Sequence, residues 1–287
     1  MPRTAALTLL AMLAFACNSL LCRLVLRHTT TIDAASFTSV RLASGALVLL
    51  LVVAWRDRGR AGAAPWRAGD WSSALALFVY AAGFSFAYRD LTAATGALLL
   101  FGVVQTTMVG WGLWRGERLR CLQWLGLATA SAGLVALLLP GLATPSLTSG
   151  CLMAAAGLAW AVYSLRGRGA RDATAVTAGN FIRAAPLALA LSAALWSQVR
   201  WDSAGLGLAL ASGAVAFGLG YAVWYTALRG LSATGAAVSR LCVPALAATG
   251  GALLLLGEVL TARLLLASVA VLGGVALVIY GRSTNRG

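Results

Sequence analysis

Ten stretches of about 20 apolar residues constrain this chain more than any other feature. They run over about 4–26, 34–55, 69–88, 91–114, 121–140, 149–166, 173–196, 205–227, 231–256 and 262–281. Roughly 20 mostly apolar residues span the hydrocarbon of a bilayer as a helix. The breaks between them are short and carry turn chemistry, such as Pro140-Gly141 and Arg166-Gly167-Arg168-Gly169. Lipid offers no partner to an unpaired backbone group, so each run must be helical. A β-barrel would need alternating segments of about ten residues, and these runs are continuous. The predicted fold class is an all-α integral membrane protein with ten transmembrane helices.

Composition agrees. Hydrophobic residues make up 60% and charged residues 10%, against roughly 25% charged in a soluble domain. All 22 basic residues are Arg and the net charge is +14. The arginines cluster in the breaks and form no basic face, which argues against a nucleic-acid partner and for loops held on the negative side of a membrane. Cys17, Cys22, Cys121, Cys151 and Cys242 all lie in apolar runs, with neither disulfide nor zinc spacing. Ala14-Phe15-Ala16-Cys17 resembles a weak lipobox, but the apolar run continues past Cys17 and reads as a retained first span.

An internal repeat organises the ten spans. Ala14–Leu20 (AFACNSL) matches Ala159–Leu165 (AWAVYSL), and Arg41 matches Arg183. Ala94–Ala97 recurs at Ala233–Ala236, and Gly116-Glu117 recurs as Gly257-Glu258. The matches are collinear and divide the chain into repeats at 1–145 and 146–287, each of five spans. Five is odd, so the second repeat enters the membrane inverted relative to the first, an architecture that places a substrate site between the halves near the midplane. With the N-terminus inside, fourteen arginines lie inside: Arg3, Arg56, Arg58, Arg60, Arg67, Arg115, Arg118, Arg120, Arg166, Arg168, Arg171, Arg229, Arg282 and Arg286. Five lie outside: Arg23, Arg27, Arg89, Arg200 and Arg263. This asymmetry predicts both termini in the cytoplasm.

Ten spans in a five-plus-five duplication, with Gly-Glu after spans 4 and 9, resemble the EamA-type drug/metabolite transporter superfamily. Within it the chain looks like bacterial amino-acid exporters, including aromatic amino-acid exporters, through Trp160 with Tyr163 in span 6 and Ser239 with Pro244 in span 9. Those exporters line a central cavity at the matching positions. The chain departs from them at Arg240, where an uncharged, often aromatic residue is expected. The resemblance implies a secondary transporter moving amino acids or related small metabolites by alternating access, with no cofactor. Its partners would be the small-molecule substrate and the lipid bilayer, and a monomer would suffice.

The candidate substrate-binding residues follow from depth and chemistry. Arg240 lies about nine residues into span 9, where a charge needs water or a partner. Pro244, four residues on, deprives the Arg240 carbonyl of its helical donor and should kink the span. Arg240 could hold a substrate carboxylate bidentately or be satisfied by carbonyls of neighbouring helices. Tyr80, Phe84, Phe101, Trp160, Tyr163, Tyr221, Trp224 and Tyr225 read as either packing or an apolar cavity wall. Asn18, Gln105 and Ser239 could add polar groups there, or Asn18 and Gln105 could bond between helices. Repeat-related Arg41 and Arg183 read as structural, bonding carbonyls or snorkelling, with gating as the alternative. Trp55, Trp66, Trp71, Trp114 and Trp124, near span ends, read as interface anchors.

Other classes fit less well. All eight acidic residues fall at span ends or in breaks and the one His, His28, lies in the first outer loop. A buried carboxylate for proton coupling is therefore not evident, and downhill movement or exchange is the simplest reading. A membrane enzyme would need a nucleophile–base pair or metal ligands at depth. A cationic-drug site would ordinarily offer an acid, whereas a sugar-phosphate or nucleotide-sugar site could use Arg240.

Overall fold

A computed structural model describes residues 2–57, 65–116, 119, 121–138, 146–167, 170–231, 239–249 and 261–283. Among these residues there are ten α-helices and no strand. They are α1 (Pro2–Arg23), α2 (Ala34–Arg56), α3 (Trp71–Ala87), α4 (Ala93–Trp114), α5 (Cys121–Leu138), α6 (Leu147–Arg166), α7 (Ala173–Ala194), α8 (Ser203–Leu228), α9 (Cys242–Thr249) and α10 (Ala262–Ser283). Six of them, α1, α2, α4, α6, α7 and α8, are long and apolar enough to cross a membrane, and α3, α5 and α10 contain shorter apolar helices. This is an all-α, multi-pass membrane protein. Of the ninth expected span, 231–256, only 231 and 239–249 are described. Glu117, Glu258, Gly257 and the second Ala-Thr-Gly-Ala segment lie outside the described residues.

The helix starts show why the acids sit where they do. Asp33, Asp70, Asp172 and Asp202 are the N-caps of α2, α3, α7 and α8, each accepting from a backbone N–H two or three residues on. Such a cap satisfies an orphan donor and meets the positive helix end. Two helices change pitch. A π-helical turn, Leu24–Thr29, continues α1, and another, Ser212–Leu219, occupies the middle of α8.

Span 9 does more than kink. Leu241 is a turn residue and α9 begins afresh at Cys242, so Pro244 falls in the first turn of a new helix. There its missing N–H leaves no helical bond unmade. Pro186, by contrast, lies inside an uninterrupted α7.

The helices pack as α5 on α10, α2 on α7 and α4 on α9, with α3 and α4 against α6, and α8 and α9 against α1. Small residues permit the close approaches. A Cβ at Gly126 would lie 2.5 Å from the Gly274 carbonyl oxygen, and one at Gly133 would lie 2.8 Å from the Ala270 Cβ. Gly218 and Gly220 face Val48 and Ala14, while Gly273 faces open space. Leu9, Leu10, Leu47, Leu51 and Val269 are exposed, giving the apolar outer surface that lipid requires. Trp55, Trp66, Trp71, Trp114 and Trp124 are also exposed near helix ends, where interface anchors belong.

Candidate functional site

Five helices turn aromatic faces to a common centre. Phe15, Asn18 and Ser19 come from α1, Tyr80 and Phe84 from α3, Leu100 and Phe101 from α4, Trp160 from α6, and Phe217 and Tyr221 from α8. Spacings of three or four residues put the α1, α3 and α8 contributions on single helix faces. The space they enclose is no larger than about one water molecule. Admitting a solute therefore requires the wall to move.

The wall is one connected set of rings. Tyr80 stacks on Trp160 (centroids 5.5 Å apart, planes at 17°), and Phe101 meets Trp160 edge-on at 5.3 Å. Tyr80 also touches Phe84 at 5.5 Å and Phe217 at 5.8 Å, and Tyr221 touches Phe15 at 5.7 Å. Arg240 adds a cation, its Cζ 4.8 Å from the Trp224 centroid and 5.7 Å from that of Trp160. These distances are within cation–π reach.

Of the residues singled out in the sequence, Asn18, Tyr80, Phe84, Phe101, Trp160 and Tyr221 line the chamber. Asn18 also accepts a hydrogen bond from the Ser212 hydroxyl of α8 (3.3 Å), an interhelical bond. Tyr163 and Tyr225 stand just outside the wall. The Tyr163 hydroxyl donates to Thr177 Oγ1, which donates to the Tyr225 hydroxyl, each at 3.3 Å. Ser239 and Gln105 are half-buried and Pro244 is buried, none of them in the wall. Phe15 and Phe217 were not anticipated. Phe15 had a signal, because the repeat aligns it with Trp160.

The two repeat-related arginines diverge. Arg183 donates to the Ala68 carbonyl at 2.6 Å and the Gly179 carbonyl at 2.9 Å, which is the expected structural arrangement. Among the described residues Arg41 bonds no carbonyl, and it does not snorkel. It is 0% exposed, with its Cζ 4.1 Å from the Phe217 centroid and 5.1 Å from that of Phe84.

Polar contacts bind the helices together at both ends. At one end Arg56 of α2 pairs with Asp172 of α7, and Arg166 of α6 pairs with Asp70 of α3 at 2.9 Å. At the other, Asp33 accepts from the Arg200 N–H (3.0 Å) and Asp202 accepts from the Thr31 N–H (2.8 Å). Burial opposes ionisation of Asp70 and Asp172. Bonds from Ser73 and Arg166 to the one, and from Arg56 and the Ala175 N–H to the other, outweigh it and hold both carboxyls below the ordinary aspartate value. A depressed folded-state pKa gives stability that is complete above the ordinary value and lost as pH falls through the depressed one. Asp172→Asn should therefore lower the melting temperature at pH 7, and the difference should shrink as pH falls below 3.8, the ordinary aspartate value, and vanish only below the depressed one. Intrinsic tryptophan fluorescence during thermal unfolding measures it. A difference that persists at low pH would assign the effect to packing.

Comparison with known proteins places this chamber in context. The sequence model of the EamA-like transporter family matches residues 147–280. The chain is 55% identical over 288 residues to the uncharacterized protein PA1977 of Pseudomonas aeruginosa, covering 99% of this chain and 98% of that one. A solved structure named "Crystal structure of protein" is similar with a TM-score of 0.67 at 21% identity, over 96% of each chain, and shares the fold.

Proposed function

The chain belongs to the EamA-like transporter family, and from that premise we propose that it exports amino acids or related small metabolites across a bacterial inner membrane by alternating access. The observation that carries this reading is the chamber itself. It is walled by aromatic rings from α1, α3, α4, α6 and α8, with the Arg240 guanidinium against Trp160 and Trp224. Rings offer apolar and stacking contact to a side chain, and a guanidinium suits a carboxylate. The aromatic cluster joins helices of residues 1–145 to helices of residues 146–287, which are read as two inverted repeats.

The packing supports that repeat. Exchanging each helix for the one five places along turns the contact of α3 with α6 into that of α8 with α1, and the contact of α4 with α6 into that of α9 with α1. The N-caps behave alike: Asp33 of α2 meets the chain after α7, and Asp172 of α7 meets the end of α2. Alternating access then breaks one set of end contacts at a time, with both termini cytoplasmic. The six acids among the described residues all lie at helix ends or in the adjoining turns, which favours facilitated movement or exchange. The protein is read as a non-enzymatic carrier that works as a monomer.

A counterflow screen in proteoliposomes tests this. Labelled aromatic and aliphatic amino acids, sugar phosphates and cationic drugs would be offered against an internal pool of the same compound. The expected result is saturable counterflow of at least one amino acid, with no uphill accumulation when only a pH gradient is imposed. Counterflow of sugar phosphates or drugs alone would overturn the substrate class, and pH-driven accumulation would overturn the coupling.

A further inference from the structure

Arg41 is the buried group that nothing above employs. Its Nη1 donates to the Ser85 hydroxyl at 3.2 Å and to the Cys22 sulfur at 3.8 Å. Its Nε and Nη2 are buried and have no hydrogen-bond partner among the described residues. No carboxylate pairs with it among the described residues. Three rings surround it, those of Phe37, Phe84 and Phe217. Rings attract a cation through their faces but accept no strong N–H bond, so about three charged donors stay unmet. Leaving such donors buried and unmatched is costly. The unmet atoms also share one edge of the guanidinium, Nε beside Nη2, which is an edge a carboxylate takes with two parallel bonds.

Arg41 adjoins the chamber wall. Phe84 and Phe217, which contact Arg41, are wall residues. Tyr80 and Asn18 belong to the same wall. We propose that Arg41 forms an anion site on the α2 side of the chamber, taking the carboxylate of the transported solute on its Nε/Nη2 edge while Tyr80 and Asn18 flank it. As to source, the carboxylate rests on the amino-acid reading above, whereas an inorganic anion such as chloride would use the same edge without it. Arg240, on the Trp160 and Trp224 side, is then a second cation at a different part of the wall.

The test uses the purified full-length chain and two probes that differ only in the anion, 3-phenylpropionate and 3-phenylpropanamide. Wild type should bind the acid about tenfold to a hundredfold more tightly than the amide, as expected for charge-assisted bonds. Arg41→Gln should erase that ratio without weakening the amide. In parallel, the melting temperature is read as chloride is exchanged for gluconate. A chloride-dependent rise that Arg41→Gln removes, without any acid preference, assigns the site to an inorganic anion; it supports the site while leaving the amino-acid reading to the counterflow screen. Should Arg41→Gln not fold, Arg41→Lys keeps the charge but loses the fork, and acid binding should weaken while the order of acid over amide remains. If neither the acid preference nor the chloride dependence changes with residue 41, the proposal is overturned.

Discussion

Gly213→Ala should destabilise the folded protein by about 3 kcal/mol or more, at or beyond the upper end of the ordinary cost of an overpacked site. A methyl group at Gly213 would overlap the Ser44 hydroxyl and the backbone carbonyl of Arg41, and would lie 2.6 Å from the Arg41 Cα. Two of those three atoms are backbone, so relief means moving α8 away from α2 along their whole contact. The position falls in the π-helical middle of α8, where Ser44 and Gly45 of α2 supply the matching small residues. An internal control lies six residues earlier on the same helix. A Cβ at Gly207 meets nothing within 4 Å, so Gly207→Ala should be neutral or gain up to about 1 kcal/mol from helix propensity. Thermal unfolding in detergent, followed by tryptophan fluorescence, compares the two. Equal melting temperatures for the two variants would mean that α2 and α8 are not locked as described.

The same contact shows how far the sequence could be read. Helix positions were legible because lipid sets their length: 34–55 was expected where α2 runs Ala34–Arg56, and 91–114 where α4 runs Ala93–Trp114. The acids were legible as helix-end residues for a related reason, since the interior offers them neither water nor partners. The pitch change at Ser212–Leu219 was not. One extra residue in a turn leaves no mark on an apolar run, yet it decides that Phe217 faces Phe181, Tyr80 and Arg41. Arg41 was misread for an instructive reason. Its repeat partner Arg183 finds carbonyls, and duplication suggested that both would. A guanidinium's partners come from neighbouring helices, however, and Ser85, Cys22 and three rings are what this half provides. The break at Leu241 was half-legible: Pro244 marked a disturbed helix, but whether a helix bends or restarts is decided by tertiary packing.

Trp160→Ala should abolish most transport, lowering counterflow per folded molecule more than tenfold. Trp160 is the point where the wall converges: Tyr80 stacks on it, Phe101 packs edge-on against it, and Arg240 lies 5.7 Å from its ring. Removing the indole opens a void in a chamber that holds about one water molecule. Each aromatic pair contributes about 0.5–1.5 kcal/mol beyond area burial, so losing two pairs and a cation–π contact leaves Tyr80, Phe101 and Arg240 without the surface that orients them. Stability should fall by about 3 kcal/mol, the low end for truncating a large core aromatic, because in a membrane the lost term is packing rather than hydrophobic transfer. The two effects separate experimentally. Trp160→Phe restores a ring and much of the packing, and should recover the melting temperature more fully than the transport, since a phenyl ring presents a smaller and weaker face to a solute and to Arg240. If Trp160→Ala lost only stability and its folded fraction carried solute at the wild-type rate, the aromatic wall would be core packing and the substrate would have to pass elsewhere. If Trp160→Phe instead recovered stability but left transport depressed, the indole face itself would be the surface the solute meets.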